Sequence, residues 1–245
     1  MSGPTAAAPQ TQTSSWKEAV SSGRCPLCFV LRRDEFAELS RWVGGGVADE
    51  QNRRRLDDAG GFCNSHFWLL KGLHSPQSGS LVNDYIAARL VHWLREPAGQ
   101  GWETQAAWLR EAATRCPLCV HLQACETAHA RAFVGWLSDS VAWSEYAESR
   151  GLCLPHLVRC QALVQDSSLV ERLNQAQAAQ IERLQGEMRE CVRKFETGER
   201  WEISQDEWAA YERATEKFVG RNGLLPLRAG AKEQVLRTDN SVSES

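Results

Sequence analysis

The sequence predicts an all-α protein made of two tandem helical repeats, each with a three-cysteine, one-histidine metal site, plus a long C-terminal helix packing across both. Three observations carry this. Apolar residues recur at threes and fours along most of the chain, and no segment sustains period-two alternation of β-branched residues. Glycine-rich breaks fall between the periodic stretches. One cysteine–histidine block also occurs twice. Cys25-Pro26-Leu27-Cys28 returns as Cys116-Pro117-Leu118-Cys119, at an offset of 91. Gly61-Phe62-Cys63-Asn64-Ser65-His66 returns as Gly151-Leu152-Cys153-Leu154-Pro155-His156, at an offset of 90. The copies are one deletion apart.

Taken in order, residues 1–14 read as a disordered tail of Ser, Thr, Ala, Pro and Gln. Ser15 and Glu18 have capping-box spacing, so a short helix is expected from Trp16 into the first cysteine pair. From Cys28 to Val43 the apolar residues Phe29, Phe36, Leu39 and Val43 keep helical spacing, and Gly44-Gly45-Gly46 stops the run. A polar helix over about 48–58 ends at Gly60-Gly61, and a third helix opens at Cys63–His66. Ser75–Gly79 reads as a loop, followed by a helix over about 80–95 carrying Leu81, Tyr85 and Ala88. Pro97, Gly99 and Gly101 mark the break between the halves, and a helix over about 103–113 leads into the second cysteine pair.

The second half repeats the plan. Helices are expected over about 119–137 and 141–149, and a third opens at Cys153–His156, where Pro155 is tolerated in a first turn. Ser168 with Glu171 makes a second capping box, opening the longest helix, from Leu169 to about Phe195. Ile181, Leu184, Met188, Cys191 and Phe195 form a seam stepping by threes and fours. At about two heptads, the seam suits packing within the chain better than dimerisation. Ser204 with Glu207 opens a last helix carrying Trp208, Tyr211 and Phe218, and Gly220 and Gly223 end it. The organisation expected is 1–14 tail, 15–98 first repeat, 99–166 second repeat, 167–222 C-terminal helices and 223–245 disordered tail.

The chemistry of the duplicated block is that of a closed metal site. Thiolate and imidazole are zinc's preferred ligands, and four of them complete its tetrahedron. Cys-x-x-Cys bites an ion from a single turn, and Cys-x-x-His does so from a helix start. The candidate ligands are Cys25, Cys28, Cys63 and His66, then Cys116, Cys119, Cys153 and His156. With 34 residues between Cys28 and Cys63, and 33 between Cys119 and Cys153, each ion is expected to clamp the two ends of its own helical hairpin. Two Zn2+ ions are expected, with an iron–sulfur cluster as the alternative. A rubredoxin-like knuckle would place glycine after the second cysteine; Phe29 and Val120 stand there instead, so each pair runs straight into a helix.

The other cysteines have plainer readings. Cys191 belongs to the seam and Cys160 to the core. His121, Cys125 and His129 form a stripe at i, i+4 and i+8, whose positions in the first copy are held by Val30, Asp34 and Glu38; this disfavours a third site. The ten tryptophans are expected mainly in the core.

The block and the tail run Val192-Arg193-Lys194-Phe195, with Glu207-Trp208 and Arg213-Ala214 after it, resemble a family of bacterial proteins known as a domain of unknown function. The resemblance covers about residues 22–221. It implies a helical, twice-repeated, metal-binding protein and supplies no activity or substrate. Such tails often read Lys-His-Asp-Tyr-Arg, whereas this chain has Lys194-Phe195-Glu196-Thr197-Gly198.

Bulk properties narrow the function. A net charge of −3 argues against an overall nucleic-acid footprint, and the run Arg53-Arg54-Arg55 is followed at once by Asp57 and Asp58. No stretch approaches a membrane span and the N-terminus lacks a leader pattern. The expectation is a cytoplasmic protein, where thiols stay reduced. No catalytic constellation is recognisable. The leading expectation is a zinc-stabilised scaffold or adaptor for a protein partner, monomeric or homodimeric. The alternatives are an iron–sulfur or thiol redox protein and a nucleic-acid-binding regulator.

Overall fold

A computed structural model describes residues 12–95 and 115–221, apart from the side chains of residues 12–15 and Trp93. The described residues form helices and turns, with no strand among them. The expected helix over 103–113 and both tails beyond these limits lie outside the description.

The first repeat starts from α1 (Gln12–Ser21) and α2 (Pro26–Gly45). Because α1 begins at Gln12, Ser15 lies inside the helix and does not cap it, a correction to the expected start. Pro26 sits in the first turn of α2, where its missing N–H costs nothing. A 3-10 turn (Gly46–Ala48) leads to α3 (Glu50–Ala59). The Asp49 side chain accepts the Asn52 N–H to start α3, and Gly60, in the left-handed region at φ 73, ends it. Then come α4 (Asn64–Leu73) and α5 (Pro76–Arg95). The expected loop at 75–79 is the first turn of α5: Ser75 Oγ accepts the Ser78 N–H at 3.2 Å, with Pro76 just inside the helix.

The second repeat runs α6 (Pro117–Trp136), α7 (Ser140–Glu148), α8 (Leu154–Gln161) and α9 (Ser167–Glu196). The cap of α9 is Asp166, which accepts the Ser168 N–H at 2.8 Å, and not the expected Ser168–Glu171 box. A 3-10 turn (Arg200–Glu202) precedes α10 (Gln205–Trp208) and α11 (Ala210–Val219). The Ser204–Glu207 capping box is present at α10 as expected.

The order is the same twice: long helix, short return helix, helix opening on Cys-x-x-His, long helix. The longest helix, α9, therefore holds in the second repeat the place of α5 in the first.

α2 and α6 form the most extensive helix pair and run antiparallel. Leu27 and Val30, near the start of α2, pack with Phe133 and Leu137 at the end of α6. Leu39 and Trp42, near the end of α2, pack with Cys116 and Leu118 at the start of α6. Each of the two main cores thus mixes residues of both repeats, and each large side chain buried there contributes about 1.5–3 kcal/mol.

α9 buries Leu173, Gln177, Gln180 and Leu184. Gln177 Nε2 donates to the Leu152 carbonyl at 2.9 Å and Gln180 Nε2 to the Tyr146 carbonyl at 3.2 Å. These glutamines tie α9 to the last turn of α7 and to the loop entering α8. The lower seam packs within the chain: Leu184 and Met188 meet Ala210 and Ala214, and the Phe195 ring lies 5.9 Å from Trp208. The tail residues seen in the sequence build this contact, with Lys194 paired to Glu207 at 2.9 Å and Arg213 to Glu187 at 2.6 Å. Trp16 and Trp42 are core residues, but Trp68, Trp201 and Trp208 are exposed, against the expectation for tryptophan. No helix among the described residues is long and apolar enough to cross a membrane.

Gly151 is where the backbone has least freedom. Its φ is +69, and a Cβ there would fall 1.7 Å from Gln180 Oε1. The Gly151→Ala variant should lose about 1–2 kcal/mol from the left-handed backbone and about 1–3 kcal/mol from overpacking. Gly44→Ala, where a Cβ meets nothing within 4 Å, should be neutral or stabilising. Urea denaturation of both variants checks the pair, and equal stability would contradict the packing described.

Candidate metal centres

The eight predicted ligands gather into two quartets, but not by repeat. Cys25 and Cys28 meet Cys153 and His156, while Cys63 and His66 meet Cys116 and Cys119. The expectation that each ion closes its own hairpin is therefore corrected: each quartet takes its Cys-x-x-Cys from one repeat and its Cys-x-x-His from the other.

Helix lengths explain the exchange. α2 has 20 residues and rises about 30 Å, whereas the return helix α3 has 10 and recovers about 15 Å. Cys63 therefore stops beside the far half of α2, short of Cys28. The antiparallel α6 delivers Cys116 and Cys119 to that place. The second repeat repeats the mismatch, with 20 residues in α6 and 9 in α7.

Within each quartet the ligand atoms all lie within 4.8 Å of one another. In the first centre, Cys28 Sγ is 3.8 Å from Cys153 Sγ, and His156 Nδ1 is 3.3, 3.4 and 3.2 Å from the sulfurs of Cys25, Cys28 and Cys153. In the second, Cys63 Sγ is 3.6 Å from Cys119 Sγ, and His66 Nδ1 is 3.2, 3.4 and 3.3 Å from Cys63, Cys116 and Cys119. A zinc tetrahedron with about 2.3 Å Zn–S and about 2.0–2.1 Å Zn–N bonds has edges of about 3.5–3.8 Å. The four distances given for each quartet are within a few tenths of an ångström of those edges.

Cys25, Cys63, Cys116 and Cys153 are the N-cap residues of α2, α4, α6 and α8. Two helix N-termini converge on each quartet, α2 with α8 and α6 with α4. Their partial positive charge favours thiolates. Three thiolates and one divalent cation leave a net charge of −1, which these helix ends help to hold.

Without a cation the thiols obstruct one another. In the second centre, hydrogen bonding by Cys116 and Cys119 holds the Cys63 thiol far below the usual range. Contacts with Cys116 and Cys63 hold Cys119 far above it. Burial acts to lower the pKa of His66, but its contacts with Cys116, Cys63 and Glu35 outweigh it and push it up to about 11. The same opposition recurs in the first centre, where Cys25 is lowered by its neighbours against its burial and Cys28 is raised by Cys153 and Cys25. Such a set is easily reconciled by one cation, which lets all three sulfurs ionise together.

The sequence reading missed the carboxylates behind the histidines. His66 Nε2 lies 3.3 Å from Glu35 Oε1, and His156 Nε2 lies 3.7 Å from Glu126 Oε1. These are ion-pair distances; neither imidazole nitrogen makes a hydrogen bond of good geometry. Glu35 is wholly buried and also pairs with Arg32. Glu35 and Glu126 each stand seven residues after the second cysteine of their pair, so the repeat itself carried the signal. A carboxylate on the far ring nitrogen is the common way of fixing a ligand histidine's tautomer.

The other candidates do not form a third centre among the described residues. Cys125 Sγ is 3.4 Å from His121 Nε2, but His129 turns to Asp34 at 2.5 Å. Cys160 is fully buried in the core, as expected, and Cys191 is half-buried. Arg53 donates to the Val47 carbonyl at 2.8 Å, Arg54 pairs with Glu50 at 2.5 Å, and Arg55 pairs with Glu38 at 2.8 Å. Arg55 also reaches the Pro117 carbonyl at 3.3 Å, so it joins α3 to the second cysteine pair.

Fold and sites together define an all-helical protein with two cysteine–histidine quartets that could each hold a metal ion. Residues 15–223 match the model described as "Family of unknown function (DUF6062)", and the chain belongs to that family. No curated protein and no solved structure matches it.

Changing Glu35 or Glu126 to Gln removes the charge facing one histidine. Each variant should lower metal affinity at its own centre by about 10–100-fold. Competition against a chromogenic chelator reads this directly, and unchanged affinity in both would remove the carboxylates from the account.

Proposed function

We propose that each quartet holds one zinc ion, and that the protein is a zinc-stabilised helical scaffold or adaptor for a protein partner. The observation that carries the reading is the four-ligand quartet, three of its ligands buried, built across the repeats. Four protein ligands leave no open position for substrate or water, which suits structural rather than catalytic zinc. The apparent binding energy of a structural zinc, about 10–16 kcal/mol, is comparable to the whole stability of a domain, about 5–15 kcal/mol. Here each ion would also join the two repeats.

The alternatives have less support. Sulfur atoms 3.6 and 3.8 Å apart suit one ion, whereas a multi-iron cluster spreads its cysteine ligands around a larger cage. The arginines behind the nucleic-acid reading are engaged by carbonyls and carboxylates of their own chain. A protein partner is favoured by exposed large apolar side chains such as Trp68, Leu81, Leu94 and Trp201.

Elemental analysis of protein purified with and without air should return two zinc ions per chain and a colourless solution. Iron with visible absorbance would overturn the zinc reading. Removing the ions with a chelator should abolish cooperative thermal unfolding followed by circular dichroism, and cooperative unfolding of ion-free protein would overturn the structural role.

A further inference from the structure

The first quartet forms part of the wall of a cleft of about 230 Å3, where Cys25, Cys28 and Cys153 meet residues of α9 and α11. The cleft carries more cations than carboxylates. Arg24, Arg150, Arg183, Arg213, Lys217 and Arg221 line it, against Glu148, Glu187 and Glu216. Two of these cations are neutralised locally, Arg213 by Glu187 at 2.6 Å and Arg150 by Asp206 at 2.9 Å. Four remain against two carboxylates and the −1 of the loaded quartet, a local excess of positive charge in a chain whose net charge is −3.

Lys217 is the most telling of the four. It is only 7% exposed, which is rare for lysine. Its ammonium donates to the Arg150 carbonyl at 2.7 Å and to Gln180 Oε1 at 3.4 Å. An ammonium has three N–H groups, so one is left for a further acceptor. Arg24 and Arg221 make no ion pair among the described residues, although both line the cleft.

A second cleft, of about 540 Å3, adjoins the first and shares Arg24 and Arg221 with it. It adds Arg32 and Arg33, already paired with Glu35 and Glu18, and two rings, Phe29 and Phe36, of which Phe36 is 60% exposed. A large apolar ring left in water among arginines lacks a core role. The two clefts together fall within the about 300–1,000 Å3 range of small-molecule sites. The inner one offers charge and the outer one offers a face for stacking.

We propose that this double cleft binds a small ligand joining a phosphate or pyrophosphate group to a planar ring, of the size of a nucleoside diphosphate. The phosphates sit between Arg24, Lys217 and Arg221, and the ring lies on Phe36. The ligand would run from α9 and α11, beside the first metal centre, along the first three turns of α2 to Phe36. The proposal does not depend on which metal that centre holds.

Isothermal titration of the full-length, metal-loaded protein tests it, with ADP, GDP, UDP, pyrophosphate and adenosine as separate probes. At least one nucleotide should bind saturably, with adenosine and pyrophosphate each about ten-fold weaker or more. The double variant Arg24→Ala/Arg221→Ala should weaken that nucleotide by about ten-fold or more, at unchanged metal content and helicity. Phe36→Ser should weaken the nucleotide and leave pyrophosphate unchanged. Added salt should weaken binding, because exposed charges are screened. No saturable nucleotide binding overturns the proposal. So does pyrophosphate binding as tightly as every nucleotide, which would make this an anion patch alone, or binding indifferent to all three substitutions, which would place it elsewhere. Binding of an acidic peptide in preference to every nucleotide also overturns it.

Discussion

A long helix that is not matched by its return helix governs the arrangement of this protein. α2 and α6 are each 20 residues long, and the helices that follow them are half that length. Neither repeat can bring its Cys-x-x-His back to its own Cys-x-x-Cys. Antiparallel packing of α2 on α6 resolves this for both at once, because each repeat lays its missing half-site against the other. An ion held in either quartet would couple core formation to the joining of the repeats. Neither repeat alone gathers a four-ligand site, so stability is expected to be shared across the chain.

The buried polar groups follow from that geometry. Each histidine presents Nδ1 to the sulfurs and Nε2 to a carboxylate of its own repeat. The pair His66 and Glu35 thus stays within the first repeat, while Cys116 and Cys119, which complete its quartet, come from the second. Glu38 is nearly buried beside it and is paired with Arg41 and Arg55. A buried carboxylate stripped of its partner is costly, on the order of 3–5 kcal/mol. This part of the α2–α6 seam therefore tolerates little change, whereas the outer face of α5 is largely exposed.

Much of this was legible in the sequence. The duplicated block gave all eight residues of the two quartets, the glycine breaks gave the helix end at Gly60 and the neighbourhood of the one at Gly46, although α2 runs on through Gly44 and Gly45, and the seam of α9 found its partners within the chain. What failed did so for physical reasons. Spacing measures contour length, not where a chain returns, so the pairing of half-sites was misread. Yet Gly44–Gly46 already implied unequal helices, and with them the exchange. Glu35 and Glu126 were overlooked because an acidic residue on a helix is ordinarily solvated. The cap of α9 went to Asp166, since an aspartate just before Ser167 competes with any serine–glutamate box further on. Trp208, Tyr211 and Phe218 mark the apolar face expected of the last helix, and all three stand exposed, because periodicity shows that residues share a face and not that anything covers it.

Metal stoichiometry in two double variants tests the exchange most directly. Cys28→Ser/Cys153→Ser alters two ligands of one quartet, and Cys28→Ser/Cys63→Ser alters one ligand in each. Exchange predicts one tightly held ion per chain in the first variant and none in the second. One ion in the second and none in the first would mean that each repeat closes on its own metal, and would contradict the account.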